Sequence, residues 1–505
     1  MDKIQLRSVP RMLNLAAKHF GKKTIYEENN ETVTFAELKD IAEKVATQVA
    51  CISAANKPVL IWSTKSVKTP ALYMGVLAAG CYYAPLGLDT PFFRVRTILD
   101  VMKPQVLLTD GIPDEELVKL EFTGKIIKLN DCTETDAELV NARTNSIVDT
   151  DPMYVVFTSG STGTPKGVVA THRGTVDYLT SFVSHFSIDE TAVFGSQVPF
   201  EYIAGIREMY VPLITGCKTV IVPKTLFKTP LKIAEYVHQK EITLLYWTTA
   251  MYTVVYDFKI FDDLKPDRIK NVFFAGSVMQ PKVFYYLRDN IPNAMFAQHY
   301  GTTETIGCTY YVAQPGKNYD NGVPVGKAII NRRCFLIDEE NKLVTEPDKK
   351  GEFVMNDTAN AIGYFRESEK TAEHFVQNPF HNDYPDICFL TKDIGSYNDD
   401  GDMVFHGRSD RQIKHMGFRV ELAEIELAAT KCEGVTECSC VYDVNKAVIW
   451  LVFAGEATEQ AVSAHLRGAL PSFMLPRKFL AMKTLPRMYN GKIDLQELKK
   501  ICLKP

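Results

Sequence analysis

The segment from Tyr154 to Gly174, YVVFTSGSTGTPKGVVATHRG, drives a short apolar run into a loop of Gly, Ser and Thr that closes on Pro-Lys-Gly. Gly160, Gly163 and Gly167 permit close backbone approach, and Thr158, Ser159, Ser161 and Thr162 add hydroxyl donors, with Lys166 beside them. A loop of that composition can wrap a polyphosphate with N–H groups. It is not a P-loop of the G-x-x-x-x-G-K kind, because Pro165 stands where the second Gly would be, ahead of Lys166. A P-loop kinase or ATPase is therefore disfavoured. A mobile surface loop is the alternative, and the position directly behind an apolar strand argues against it. Two further polar loops follow apolar runs in the same way: AGS, ending at Ser277, after VFF, and YGTTE, Tyr300 to Glu304, after MFAQH.

These loops need elements to hold them. KPVLIWS, KPQVLLTD, KTVIVP, ITLLYW, KNVFFAG and NAMFAQHY read as short buried strands, with amphipathic segments between several of them. Near-continuous apolar strands alternating with helices imply an α/β fold with parallel sheets covered on both faces. The first eighty or so residues after an opening helix read as one lobe, and the chain from Tyr154 onward as another. In open α/β sheets ligands bind beyond the carboxyl ends of the strands, which is where all three loops fall. The character changes at GRSDRQIKHMGFRVELAEIE; a strand pair in CSCVYDVNKAVIWLVF and a helix in TEQAVSAHLRGAL then suit a small α+β domain. The expected division is a large N-terminal domain, residues 1–409, and a small mobile C-terminal domain, residues 410–505.

A chain of 505 residues is long for a single core, and a net charge of -4 gives no electrostatic reason to expect nucleic acid or an anionic membrane as partner. No apolar run reaches the ~20 residues that span a bilayer. The N-terminus lacks the apolar core of a secretory signal, and eleven cysteines without framework spacing favour a reducing, cytoplasmic setting. Cys432, Cys438 and Cys440 lack the fourth ligand a zinc site requires; Cys438 and Cys440 share one face of a strand, as core residues would. His172 and Arg173, just past the loop, suit a structural role as well as a catalytic one.

The segment YVVFTSGSTGTPKGV resembles the phosphate loop of the adenylate-forming enzymes: acyl-CoA synthetases, luciferases and the adenylation domains of nonribosomal peptide synthesis. The likeness continues in order through TFAELKDIAEKVA, GVLAAGCYYAPLGLDTPFFR, YGTTE, GEFVMND…GYF, TKDIG, GRSDRQIKHMGFRVELAEIE and LPRMYNGKID. QIKHMGFRVELAEIE, LPSFMLPRKF and NGKID match amino-acid adenylation domains and free-standing D-alanine–carrier protein ligases best. The resemblance implies attack of a carboxylate on the α-phosphate of ATP, giving an acyl-adenylate and pyrophosphate. It assigns the positive charge at the transferring phosphoryl group to Lys492, and Mg²⁺ to Glu304, with Thr303 touching the α-phosphate. Tyr300 would stack on adenine, with Gly276 and Ser277 at its edge and Gly301 and Thr302 in the adjoining loop. Asp393 and Arg408 would reach the ribose, and Asp410 would be the hinge about which the small domain swings. The usual Thr-Gly-Asp is here Thr-Lys-Asp, with Lys392 in place of the Gly.

In amino-acid-activating relatives an Asp after the phosphate loop binds the α-ammonium, and alignment puts Ile203 there. An ammonium buried against Ile would lose its partner, at several kcal/mol. The substrate is expected to be a carboxylic acid without an α-amino group, aryl or short acyl, or one whose amine lies elsewhere. Should the alignment shift, Glu201 is the nearby acid that would take an ammonium. The other aligned pocket positions are Ala204, Arg207, Tyr246, Phe273, Ala275, His299, Gly307 and Cys308. Tyr246 and Phe273 suggest a flat apolar slot. Arg207 and His299 would contact a polar or anionic substituent, unless Arg207 pairs with Glu201 or Glu208. Only a short tail follows Lys492, so the acyl group is expected to pass to the phosphopantetheine thiol of a separate carrier protein, or to CoA. A nucleotide-binding protein that has lost catalysis is the non-enzymatic alternative.

Overall fold

The computed structural model describes residues 7–159, 165–488 and 493–503. Lys492 and the loop residues Gly160, Ser161, Thr162 and Gly163 lie outside the described residues. The chain forms two compact units: one within Met1–Leu88, Lys103–Val156 and Gly167–Gly407, the other within Asp89–Met102, Phe157–Lys166 and Arg408–Pro505.

Among the described residues the first unit holds a nine-stranded, a seven-stranded and a six-stranded sheet. The nine-stranded sheet has a parallel centre: Met295–Tyr300, Asn271–Ala275, Leu244–Thr248, Val193–Ser196, Lys218–Ile221 and Thr24–Glu28 lie side by side in that order. Antiparallel strands close both edges, Thr309–Val312 with Lys327–Ala328 at one and Glu31–Thr34 at the other. The seven-stranded sheet contains Pro152–Thr158 and Lys166–Thr171 beside Tyr82–Gly87, Pro58–Ser63, Val106–Asp110 and Lys125–Lys128. Central strands such as Pro58–Ser63 and Leu244–Thr248 are near-continuous apolar runs because both faces are covered. The helix Thr69–Ala78 is buried along its whole length, as its lack of any polar stripe demands. Phe35–Ile52 starts at a capping box in which Thr34 Oγ1 accepts from the Glu37 N–H at 3.2 Å and Glu37 Oε2 from the Thr34 N–H at 2.8 Å.

The division into an early lobe and a lobe from Tyr154 onward does not hold. Thr24–Thr34 pairs into the nine-stranded sheet through Lys218–Ile221, and the strand carrying Tyr154 joins the seven-stranded sheet beside Tyr82–Gly87. Hydrophobic runs identify strands, whereas their partners are fixed by long-range packing that the runs do not encode.

The second unit contains the strand pair Gln412–His415 and Phe418–Glu421, the helices Leu422–Ala429 and Glu459–Ala469, and a three-stranded sheet of Val435–Asp443, Val448–Gly455 and Lys478–Met482. Its core includes Ile425, Cys438, Cys440, Leu451 and Leu466, so the two cysteines are packing residues. Helix Phe92–Met102 groups with this unit, and Arg94 Nη1 donates to Glu424 Oε1 at 2.8 Å. No helix among the described residues is long and apolar enough to cross a membrane.

Candidate active site

The loop after Met295–Tyr300 is folded tightly. Thr302 N–H donates to Thr305 Oγ1 at 3.2 Å and Gly307 N–H to the Thr305 carbonyl at 2.7 Å. That last bond forces Ile306 to φ +62°, an uncommon conformation for a β-branched residue. Gly301 must be Gly, since a Cβ there would stand 2.7 Å from Gly307 Cα. The turn buries Glu304 completely, with Thr303 half-buried beside it. Glu304 Oε1 accepts from the Tyr364 hydroxyl at 2.8 Å, and the Glu304 carbonyl from the Ala361 N–H at 2.6 Å. Tyr364 itself pairs with Val168. Glu304 is thus tied to the strand that leaves the Gly/Ser/Thr loop. Among the described residues no three His, Cys, Asp or Glu side chains gather to hold a metal. One carboxylate still suits Mg²⁺, which is usually held by one or two carboxylates with phosphate oxygens and water completing its shell.

Asp393 lies on Ile387–Tyr397 in the six-stranded sheet and is fully buried. Its Oδ2 accepts from the Tyr300 hydroxyl at 2.6 Å. Burial, then the adjacent Asp393 charge, push the Tyr300 phenol well above its ordinary pKa, so it remains a donor. The Tyr300 ring packs on Phe353, with centroids 4.8 Å apart. The Asp393 N–H donates to Thr391 Oγ1, which donates on to the Phe353 carbonyl, at 2.9 and 2.8 Å. Lys392 has φ +63°, which explains why glycine is the usual residue there, and its N–H is clamped by Glu352 Oε1 at 2.8 Å. Gly276 turns the chain at φ +96° after Asn271–Ala275, and the Ser277 hydroxyl bonds that of Thr249.

In the second unit, Arg408 holds Asp410 in a fork, Nε to Oδ1 at 2.8 Å and Nη2 to Oδ2 at 2.7 Å. Burial acts to raise the Asp410 carboxyl, and the Arg408 fork outweighs it, leaving the pKa below the usual range. Ser159 Oγ donates to the Arg419 carbonyl at 2.9 Å and accepts from the Glu421 N–H at 3.2 Å. Lys166 is buried.

The proposed acid pocket is built on one face of three neighbouring parallel strands. Tyr246 pairs with Phe273 and Phe273 with Ala297, so Tyr246, Phe273, Ala275 and His299 point the same way. The Tyr246 and Phe273 rings lie 5.1 and 5.2 Å from that of His299. Helix His172–Phe186 covers this face with Tyr178, Phe182 and Phe186, a one-turn repeat that was the available sequence signal for these residues. Phe182 and Phe186 come within 5.9 and 4.6 Å of Phe273. Phe182 and Phe186 thus pack on Phe273, one of the two residues of the expected flat apolar slot. Gly307 faces Tyr178: a Cβ would meet its hydroxyl at 3.0 Å. Cys308 is not brought to this group. It packs instead with Tyr300, Val325 and Leu336, with Cys334 against the same cluster.

Ile203 and Ala204 form a single 3₁₀ turn before helix Ile206–Thr215, and Ile203 packs on the main apolar core. Arg207 pairs with neither Glu201 nor Glu208. Its Nε donates to the Tyr178 hydroxyl, its Nη1 to the Ala204 carbonyl at 3.1 Å, and its guanidinium lies 4.1 Å from the Tyr246 ring centroid. The Glu201 carboxylate presses on Gly87, where an added Cβ would stand 2.0 Å from Oε1. Lys65, which the sequence did not single out, donates to the Ser196 carbonyl and hydroxyl and to the Val198 carbonyl at 3.1, 2.9 and 2.8 Å. Burial pulls its pKa to about 8, opposed by Glu208, Glu201 and Glu28. Glu208 is buried as well, and desolvation pushes it to about 7 against the pull of Lys65, Ser196 and Arg207.

The fold and these motif-bearing loops define the class. The chain overlays holo-PA1221, an adenylation and carrier-domain protein, with a TM-score of 0.84 at 19% identity, covering 98% of this chain and 84% of that one. It overlays the Vibrio cholerae adenylation domain AlmE, solved with glycyl-adenosine-5'-phosphate, with a TM-score of 0.84 at 18% identity over 98% of each chain. Residues 13–365 match the AMP-binding enzyme family, and the chain belongs to that adenylate-forming family. It is 28% identical to gramicidin S synthase 1 of Brevibacillus brevis over 93% of its own length, and spans 42% of the length of that relative.

Proposed function

We propose that the protein activates a carboxylic acid as its acyl-adenylate, releasing pyrophosphate from ATP, and then passes the acyl group to the phosphopantetheine thiol of a carrier protein. The observation that carries the reading is the Tyr300–Asp393 pair at 2.6 Å, beside a loop that holds Glu304 fully buried. In this reading Asp393 accepts from the ribose hydroxyls and Tyr300 presents its ring to adenine along the Gly276–Ser277 edge. Arg408 reaches the ribose when Asp410 releases it. Gly301, Thr302 and Thr303 approach the α-phosphate, and Thr158 to Gly163 with Lys166 cradle the outer phosphates. Mg²⁺, held partly by Glu304, would neutralise phosphate charge. Lys492 donates to the developing charge on the phosphoryl oxygens, a contact made mainly in the transition state. The domain boundary at residues 409–410, with Asp410 as hinge, gives a second closed state for thiol attack.

Ile203 supports a substrate without an α-ammonium. CoA is the alternative acceptor, and an α-amino acid the alternative substrate, with Glu201 or the buried Glu208 as its counter-charge. The test is ATP–pyrophosphate exchange across benzoates, short fatty acids, β-amino acids and α-amino acids, with Lys492→Ala as control. Exchange with a des-amino acid that falls by about 10²–10³ in the control is expected. Exchange with α-amino acids alone would overturn the substrate class and keep the reaction. Acylation of CoA but no carrier protein would overturn the acceptor.

A further inference from the structure

The buried Arg207 guanidinium makes no ion pair among the described residues, although the charge of Glu208 acts on it. It is 3% exposed, and a guanidinium stays charged at any pH a protein survives. Of its five N–H donors, the described residues engage one through the Tyr178 hydroxyl and one through the Ala204 carbonyl. Both partners are neutral. No carboxylate among the described residues comes within ion-pair distance, and the nearest acid along the helix, Glu208, is turned to the Ser196 hydroxyl. With that acid engaged elsewhere, the buried cation is only partly compensated.

Two further groups beside it lack partners. The Tyr246 hydroxyl and His299 Nε2 are buried without a hydrogen bond, on residues 2% and 3% exposed. Their rings are 5.1 Å apart, and the Arg207 guanidinium lies against the Tyr246 ring. Burial, with the Arg207 and His185 charges, holds His299 well below its ordinary pKa, so it is neutral and offers one N–H in its Nε2 tautomer. These neighbouring residues supply donors and one positive charge. What they lack is an oxyanion.

We propose that this pocket takes a dicarboxylic acid: one carboxylate is adenylated, and the other is bound by Arg207 with the Tyr246 hydroxyl and His299 Nε2. The assignment rests on the acid-activating function proposed above and names its substrate class. Arg207 is a specificity residue here; it takes no part in the transfer of the adenylyl group. Ile203 fits the same chemistry, because a substrate with anions at both ends has no ammonium for an Asp to meet.

The experiment compares acids on one skeleton: succinate, succinamate and butyrate; glutarate and valerate; isophthalate and benzoate. Each is assayed by ATP–pyrophosphate exchange and by calorimetric binding in the presence of a non-hydrolysable ATP analogue. At least one diacid should exceed its mono-acid in kcat/KM by about 100-fold or more, with succinamate on the mono-acid side. Arg207→Met should abolish that preference, the diacid and its mono-acid then supporting exchange with equal kcat/KM. Arg207→Lys, which keeps the charge, should retain part of it and serves if the Met variant does not fold. Mono-acids or amides used as well as diacids by the wild type, or a preference that survives Arg207→Met, would overturn the assignment. Bound ATP with exchange supported only by other acids removes the substrate class and leaves adenylation standing. Failure to bind ATP removes both.

Discussion

Tyr300→Phe isolates one hydroxyl at the proposed nucleotide site. The ring remains for stacking and for its contact with Phe353, and the donor to Asp393 Oδ2 is lost. A hydrogen bond to a charged group is worth about 1.5–3 kcal/mol, and this one, at 2.6 Å to a carboxylate sealed from water, belongs in the upper part of that range. Part of the loss falls on folding stability and part on the aim of the carboxylate. If about half reaches the nucleotide, the ATP KM rises roughly tenfold, since 1.4 kcal/mol is a factor of ten. The contact is made equally in ground and transition states, so kcat should hold. The assay is the ATP dependence of exchange for Tyr300→Phe, Asp393→Ala and the double variant. With Asp393 absent, Tyr300→Phe should cost markedly less than it does alone. The same factor in both backgrounds would refute the coupling and with it the role given to Asp393.

Lys392→Gly should stabilise the protein. A lysine at φ +63° is strained by about 1 kcal/mol, a strain glycine does not feel, and the gain is reduced by glycine's greater freedom in the unfolded chain; a Tm rise of about 1–3 °C by calorimetry is expected, and a fall would mean the lysine side chain offsets the strain. His172 is buried at the start of helix His172–Phe186, and desolvation, partly countered by Asp149, lowers its pKa to about 3. Its folded value lies below its unfolded one, so the stability it contributes is present above about pH 6.5 and lost as pH falls toward 3. That loss is about 2 kcal/mol between pH 7 and pH 5, and denaturant titrations of His172→Gln should show a correspondingly shallower acid slope; an unchanged slope would refute it.

Much of this site was readable in order along the chain, because its parts are local: a strand, a Gly-bearing turn, a polar side chain at the turn. Pro58–Ser63 and Asn271–Ala275 are near-continuous apolar runs, and the polar motifs begin where such runs stop. What was hidden is pairing across distance. Nothing in TIYEE announces Lys218–Ile221 as its partner, and nothing in GYF announces that its Tyr364 holds Glu304. The pocket was read from aligned positions, which do not show what packs on Phe273. The helix that covers it carried its own sign in Tyr178, Phe182 and Phe186, spaced four apart.

The two left-handed residues show how the carboxylates are held. Lys392 precedes Asp393 directly, and Ile306 follows Glu304 by two; each sits where an L-residue is disfavoured, and strain of that kind persists only when its surroundings over-determine it. At Lys392 the surroundings are the Glu352 clamp on its N–H and the Thr391 relay behind it. At Ile306 they are the Gly301–Gly307 contact and the Tyr364 anchor on Glu304. An acid on a relaxed loop would sample many directions and lose that freedom on every binding event. Here the cost of aiming each carboxylate is met once, on folding, so a nucleotide and its metal would meet groups already turned toward them.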